Sequence, residues 1–204
     1  MMCTRRRIIA GLGGGVVLAT RPAFAQLGVL GAPVTLVNRA LEDRSAADIA
    51  KDNEIVIKVN AVMAEDKTIK ASTEIYEQRL LVTGLFDDQP TYDKFEHSVR
   101  GVAGVKQLYW HVVYMSDADQ KANKNGIISW GRALEINSKT EAKLAVAKGV
   151  DHLNYRLATD AFATLYVLGR ALSASERQLV LADLKAISGV RQVVDDIEVR
   201  PRTK

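Results

Sequence analysis

An internal repeat constrains the fold more than any other feature of this chain. Under a shift of 85 residues, Leu80 falls on Leu165, Val82 on Val167, Gly84 on Gly169, Gly104 on Gly189, Val105 on Val190 and Gln107 on Gln192. Lys106 meets Arg191 and Val112 meets Ile197, so the exchanges are conservative as well. No gap is needed between Leu80 and Tyr114, and average residue usage would give only about two identities there. A tandem duplication of a small unit follows. The shared positions are apolar residues and turn glycines, so they speak to architecture and not to chemistry.

Periodicity gives the unit its element order. Residues 47–64 carry Ile49, Val56, Val59 and Val62 at helical spacing, with charged residues between them. Ile69, Ala71, Thr73 and Ile75 alternate as a strand, Glu77-Gln78-Arg79 turns, and Leu80–Gly84 forms a second strand. Pro90 suits the start of a second helix that Gly104 is expected to close, and residues 105–115 form a final strand. The second copy repeats this order, with a helix over 134–148 and strands over 153–160 and 163–169. A helix capped by Ser173 and Glu176 and closed by Gly189 follows, then a strand over 190–199. The predicted fold is α+β: two tandem α-β-β-α-β modules, each a three-stranded sheet covered by two helices. The modules span residues 45–116 and 132–200, joined by a linker over 117–131 with a turn at Asn125-Gly126.

The first 25 residues read as a secretory leader. Arg5, Arg6 and Arg7 precede an apolar run from Ile8 to Ala19, and Ala23-Phe24-Ala25 offers a cleavage box. Thr4-Arg5-Arg6-Arg7-Ile8-Ile9 also resembles the twin-arginine export signal, and either this or the general secretory route leads to the periplasm. Residues 26–44 form a mixed lead-in. Four of the 28 basic residues and none of the 24 acidic ones lie in the leader, so the exported chain is balanced. That balance argues against a nucleic-acid binder. Residues 45–116 carry an acidic excess and residues 132–204 a basic one. Cys3, the only cysteine, leaves with the leader and precedes the apolar run, so neither a disulfide nor a lipid anchor is expected.

The α-β-β-α-β order, a glycine closing the second strand (Gly84, Gly169), and the Gly-Val step before Val190, Val193, Ile197 and Val199 resemble the BON domain (bacterial OsmY and nodulation) family. Two such domains behind a leader look like the periplasmic dual-BON proteins. The resemblance implies a non-enzymatic envelope protein that binds phospholipid and supports outer-membrane or stress integrity. The last strand departs from the family where Trp110 and Asp195 replace a frequent Asn.

Little in the chain points to catalysis. His97, His111 and His152 have no metal-ligand spacing, and no phosphate-loop or nucleophile-elbow pattern follows the leader. Asp195 and Asp196 are strand neighbours and point to opposite faces. No catalytic residue, metal or cofactor is expected. Two surfaces remain. Trp130 stands before a helix carrying Arg132, Lys139, Lys143 and Lys148, a set suited to an anionic phospholipid surface. The same residues also suit a solvated face in which Glu135 pairs with Lys139 and Trp130 packs between modules. Tyr109, Trp110, His111 and Tyr114 crowd one strand, as core, as inter-module packing, or as the surface of an adaptor that binds an envelope protein.

Overall fold

The computed structural model describes residues 43–65 and 71–202. The predicted leader, Cys3 and most of the lead-in lie outside them. The elements run α1 (Ala46–Glu65), β1 (Ala71–Tyr76), β2 (Arg79–Phe86), α2 (Gln89–Arg100) and β3 (Gln107–Tyr114). A short α3 (Asp117–Ala122) follows, then α4 (Trp130–Ala145), a 3-10 turn (His152–Asn154), β4 (Tyr155–Thr159), β5 (Thr164–Ala171), α5 (Ala174–Lys185) and β6 (Gln192–Val199). The linker is thus partly helical: Ser116 accepts from the Asp119 amide to start α3, and α4 already begins at Trp130.

The strands form two three-stranded sheets, β1-β2-β3 and β4-β5-β6. In each, the central strand pairs antiparallel with its predecessor and parallel with its successor. The parallel pair needs a crossover, and α2 and α5 supply it. Asp88 caps α2 by accepting from the Thr91 amide at 2.9 Å, with proline in the first turn. Leu80, Val82 and Phe86 face α1 and α2, packing on Ile55, Val59, Phe95 and Val99. Leu165, Val167 and Ala171 face α4 and α5 in the same way, packing on Leu144, Val180 and Leu184.

Alternation in β2 and β5 leaves a second face on each sheet, and that face is buried as well. Tyr76, Leu81 and Tyr109 of the first sheet pack against Ala158, Tyr166, Leu168 and Val194 of the second. The result is four layers, helices outside and two sheets face to face within. Repeat-equivalent positions, Leu81 with Tyr166 and Tyr109 with Val194, belong to this one cluster. The seam is therefore nearly self-complementary, as in an isologous dimer interface.

Two expectations about glycine need correction. Gly84 and Gly169 do not close the second strands, because pairing with β3 and β6 carries β2 on to Phe86 and β5 to Ala171. Gly104 and Gly189 do not close the helices: α2 ends on Gly101 in the right-handed region, and α5 on Ala186. They lie three residues later in the helix-to-strand turn, with φ of +100° and +99°. Side-chain crowding adds to the backbone constraint, since a Cβ at Gly104 would lie 3.3 Å from Ile55 and one at Gly189 3.4 Å from Ile136. Glu176 also departs from a simple capping box. Ser173 accepts from the Glu176 amide, while the Glu176 carboxylate accepts from the Leu172 and Asp151 amides and the Tyr155 hydroxyl.

Candidate functional site

The two hairpin turns are each held by one carboxylate. Glu77 and Gln78 form a two-residue turn with φ of 53° and 63°, a conformation that favours Gly and Asn. Asp52, buried on α1, accepts from the Glu77 amide at 2.8 Å, the Gln78 amide at 2.6 Å and the Gln78 Nε2 at 2.9 Å. It also pairs with the buried Arg44 guanidinium. In the second half the turn is longer and Asp160 does this work from inside it, accepting from the Phe162 and Thr164 amides at 2.8 Å each.

Arg79 crosses the seam with a side chain only 5% exposed. It donates to the carbonyls of Gly169 at 2.8 Å and Asp196 at 3.2 Å and pairs with Glu198. A second tie runs through the residues before α1. The Asp43 amide donates to Asn154 Oδ1, Asn154 Nδ2 returns a bond to the Asp43 carboxylate, and Arg170 donates to the Asp43 carbonyl. Arg202 beside Asp43 holds that carboxyl below its ordinary value. A cleft of about 300 Å³ opens at this end of the seam, lined by Glu77, Arg79, Lys106, Glu198 and Arg200 among others. Glu77 pairs with Arg200 and Glu198 with Arg79, so these ion pairs are internal to the cleft.

The structure distributes the predicted basic set over different tasks. Trp130 is half-buried in the first turn of α4, after the cap Ser129. Ile127 and Ile128 are half-buried too: the Ile128 amide donates to Ala161, and Arg191 donates to the Gly126 and Asn125 carbonyls. Arg132 and Lys139 both pair with Glu135, whose carboxyl they hold down to about 2, Lys139 contributing most. Lys143 reaches Asp183 of α5 at 3.1 Å, and Lys148 is exposed in the turn beyond α4.

Two exposed apolar residues lie at or near that turn. Val146, which ends α4, is 78% exposed, and Leu179 of α5 is 48% exposed. A Cβ at Gly149 would sit 3.7 Å from Leu179 Cδ1, so Leu179 lies beside the turn that follows Val146. Two exposed aliphatics flanked by Lys143 and Lys148 therefore share the outer helical layer of the second half.

The aromatic strand β3 is divided between faces. Trp110 packs in the first core with Phe95 and Tyr92 and receives the Arg100 guanidinium on its ring. Tyr109 and His111 face the seam, where the His111 ring stacks on Tyr166 at 4.1 Å. Tyr114 and Val113, at the strand end, remain exposed. Asp195 and Asp196 do take opposite faces: Asp195 pairs with Arg177 of α5, and Asp196 turns inward, its carboxyl raised by burial and then by Asp195. Among the described residues, no cluster of three or more His, Cys, Asp or Glu could hold a metal ion, and no helix is long and apolar enough to cross a membrane.

Residues 134–201 match the BON domain, a span that runs from within α4 through β6. An uncharacterised protein encoded in the gshII 5′ region of Anaplasma centrale is 25% identical over 150 residues, spanning 73% of this chain and 95% of its own length. Two solved structures of CdsD, a structural protein of the type III secretion system of Chlamydia trachomatis, are each 12% identical. They align over 72% of this chain and over 92% and 96% of theirs, with TM-scores of 0.31 and 0.30, the second being the C-terminal domain.

Proposed function

We propose that this protein is a non-enzymatic, exported envelope factor that adsorbs reversibly to anionic phospholipid through its BON domain. In this reading the first half is a diverged second copy of the same unit, and the compartment is the periplasm, reached through the leader. The observation that carries the proposal is the exposure of Val146 and Leu179, with Leu179 next to the turn that holds Lys148 and Gly149. Aliphatic side chains that enter the headgroup layer, with lysines level with the phosphates, give adsorption that is strong only on negative surfaces. Lys148 contributes about 1 kcal/mol near such a surface, and Lys143, which shares the charge of Asp183, contributes less. Arg132 and Lys139 share the charge of Glu135 and add less.

The test is co-sedimentation of the chain with anionic and zwitterionic vesicles at low and moderate salt. Anionic-only, salt-weakened binding is expected, because screening shortens the reach of exposed charges. Lys143→Ala/Lys148→Ala should weaken it by roughly fivefold to thirtyfold, from one contribution of about 1 kcal/mol and a second that Asp183 reduces. Arg132→Ala/Lys139→Ala should weaken it less. Binding to neither vesicle, or equal binding to both, rules the proposal out.

A further inference from the structure

The seam between the sheets contains an imidazole in an unusual position. His111 lies on β3, paired across the sheet with Thr83 of β2, and its ring stacks on Tyr166 of the opposing sheet at 4.1 Å and 29°. The residue is half-exposed, so solvent can deliver a proton, but Nε2 points into the seam. Nε2 is buried and has no hydrogen-bond partner among the described residues. The acidic group nearest in charge effect is Asp160, and its carboxylate is already used. One oxygen accepts from the Phe162 and Thr164 amides, the other from the Tyr166 hydroxyl at 3.0 Å. The Tyr166 hydroxyl is held protonated by burial and by Asp160. On β6, Asp196 is also inside the seam and is shifted toward its neutral form. Arg79 of β2 carries a fixed positive charge further along the same face.

We propose that His111 makes the seam acid-labile, so that the two sheets separate more readily as the pH falls from roughly 7 to 5. A proton on the ring creates a second N–H donor. The Nε2–H would then be buried with a positive charge and no acceptor in place, since the unpartnered Thr83 Oγ1 and Asp196 Oδ2 do not reach it in the closed seam, and this disfavours that seam. Burial indeed holds the imidazole below its ordinary value, and Asp160 opposes that only in part. The opened chain, with an ordinary imidazole, binds the proton more tightly. Stability therefore falls as the pH drops through the ordinary value and keeps falling until the folded value is passed.

The acidic groups do not produce this slope. Asp196, Asp151 and Glu141 are raised in the folded chain, so acidification favours folding through them. Asp43, Asp48 and Glu135 are lowered, and their contributions are lost only at and below the ordinary carboxylate range. Loosening would bare Leu81, Tyr109, Tyr166 and Leu168, an apolar face that the closed form hides.

Two measurements test this. An NMR titration of the wild-type chain should place the His111 midpoint below that of a free imidazole. Urea unfolding near pH 7 and near pH 5 should show a midpoint that falls on acidification in the wild type and falls less in His111→Phe, which keeps the ring stack. A His111 midpoint at or above the free value overturns the proposal. So does a His111→Phe chain with the wild-type pH slope. The titration stands alone if the variant does not fold.

Discussion

Gly169→Ala should destabilise the protein by at least about 3 kcal/mol, a large share of the 5–15 kcal/mol typical of a domain. Gly169 lies inside β5 opposite Tyr155, with φ of +155°. A Cβ there would stand 2.1 Å from the Asn154 carbonyl oxygen and 3.0 Å from the Tyr155 Cα, both backbone atoms that cannot swing aside. The 3-10 turn before β4 would have to move, and with it Asn154, which ties Asp43 and Tyr76 to the second half. Thermal unfolding should show a midpoint lower by roughly 6–12 °C for a protein of this size. An unchanged midpoint would mean that the turn yields easily.

Asp52→Ala should cost about 3–5 kcal/mol, the range for removing one partner of a buried ion pair. Three donors and the Arg44 guanidinium converge on this carboxylate, and Arg44 is itself 1% exposed. Its removal takes the carboxylate partner from a buried cation and the acceptor from two turn amides. It also releases a turn whose two residues are held at positive φ without glycine. Asp52→Asn keeps one acceptor oxygen and should lie between the alanine variant and wild type. Urea unfolding decides this through a shifted midpoint at constant slope. Wild-type stability in Asp52→Ala would show that the turn holds itself.

Much of the architecture was legible because it rests on local signals. The strand alternation in Leu80–Phe86, the Ser173 cap and the proline after Asp88 are all short-range patterns, and each marks its element to within a few residues. The roles of the polar residues were not legible, because they depend on what the other half brings. Asp52 reads as one charge on an amphipathic helix, although its place among Ile49, Ile55, Val56 and Val59 put it on the buried stripe. Arg79 reads as a turn residue and becomes the cation that crosses the seam. The aromatic crowding of β3 did mark an important strand. Which ring faced a core and which a seam follows from alternation only once two sheets are known to meet. The basic cluster after Trp130 dispersed because Glu135 takes two of its cations and Asp183 a third.

The near self-complementary seam has a consequence for the peptide that joins the halves. Each half closes its own hydrogen-bonded sheet, and the contacts between them run mainly through side chains of the facing strands and the Asp43 tie. Asn123 and Lys124 are exposed, while the residues after them are moored to the second half by Arg191. The covalent junction therefore acts as a tether. It fixes stoichiometry and raises the effective concentration of one half around the other. The geometry of the pair is written in the seam.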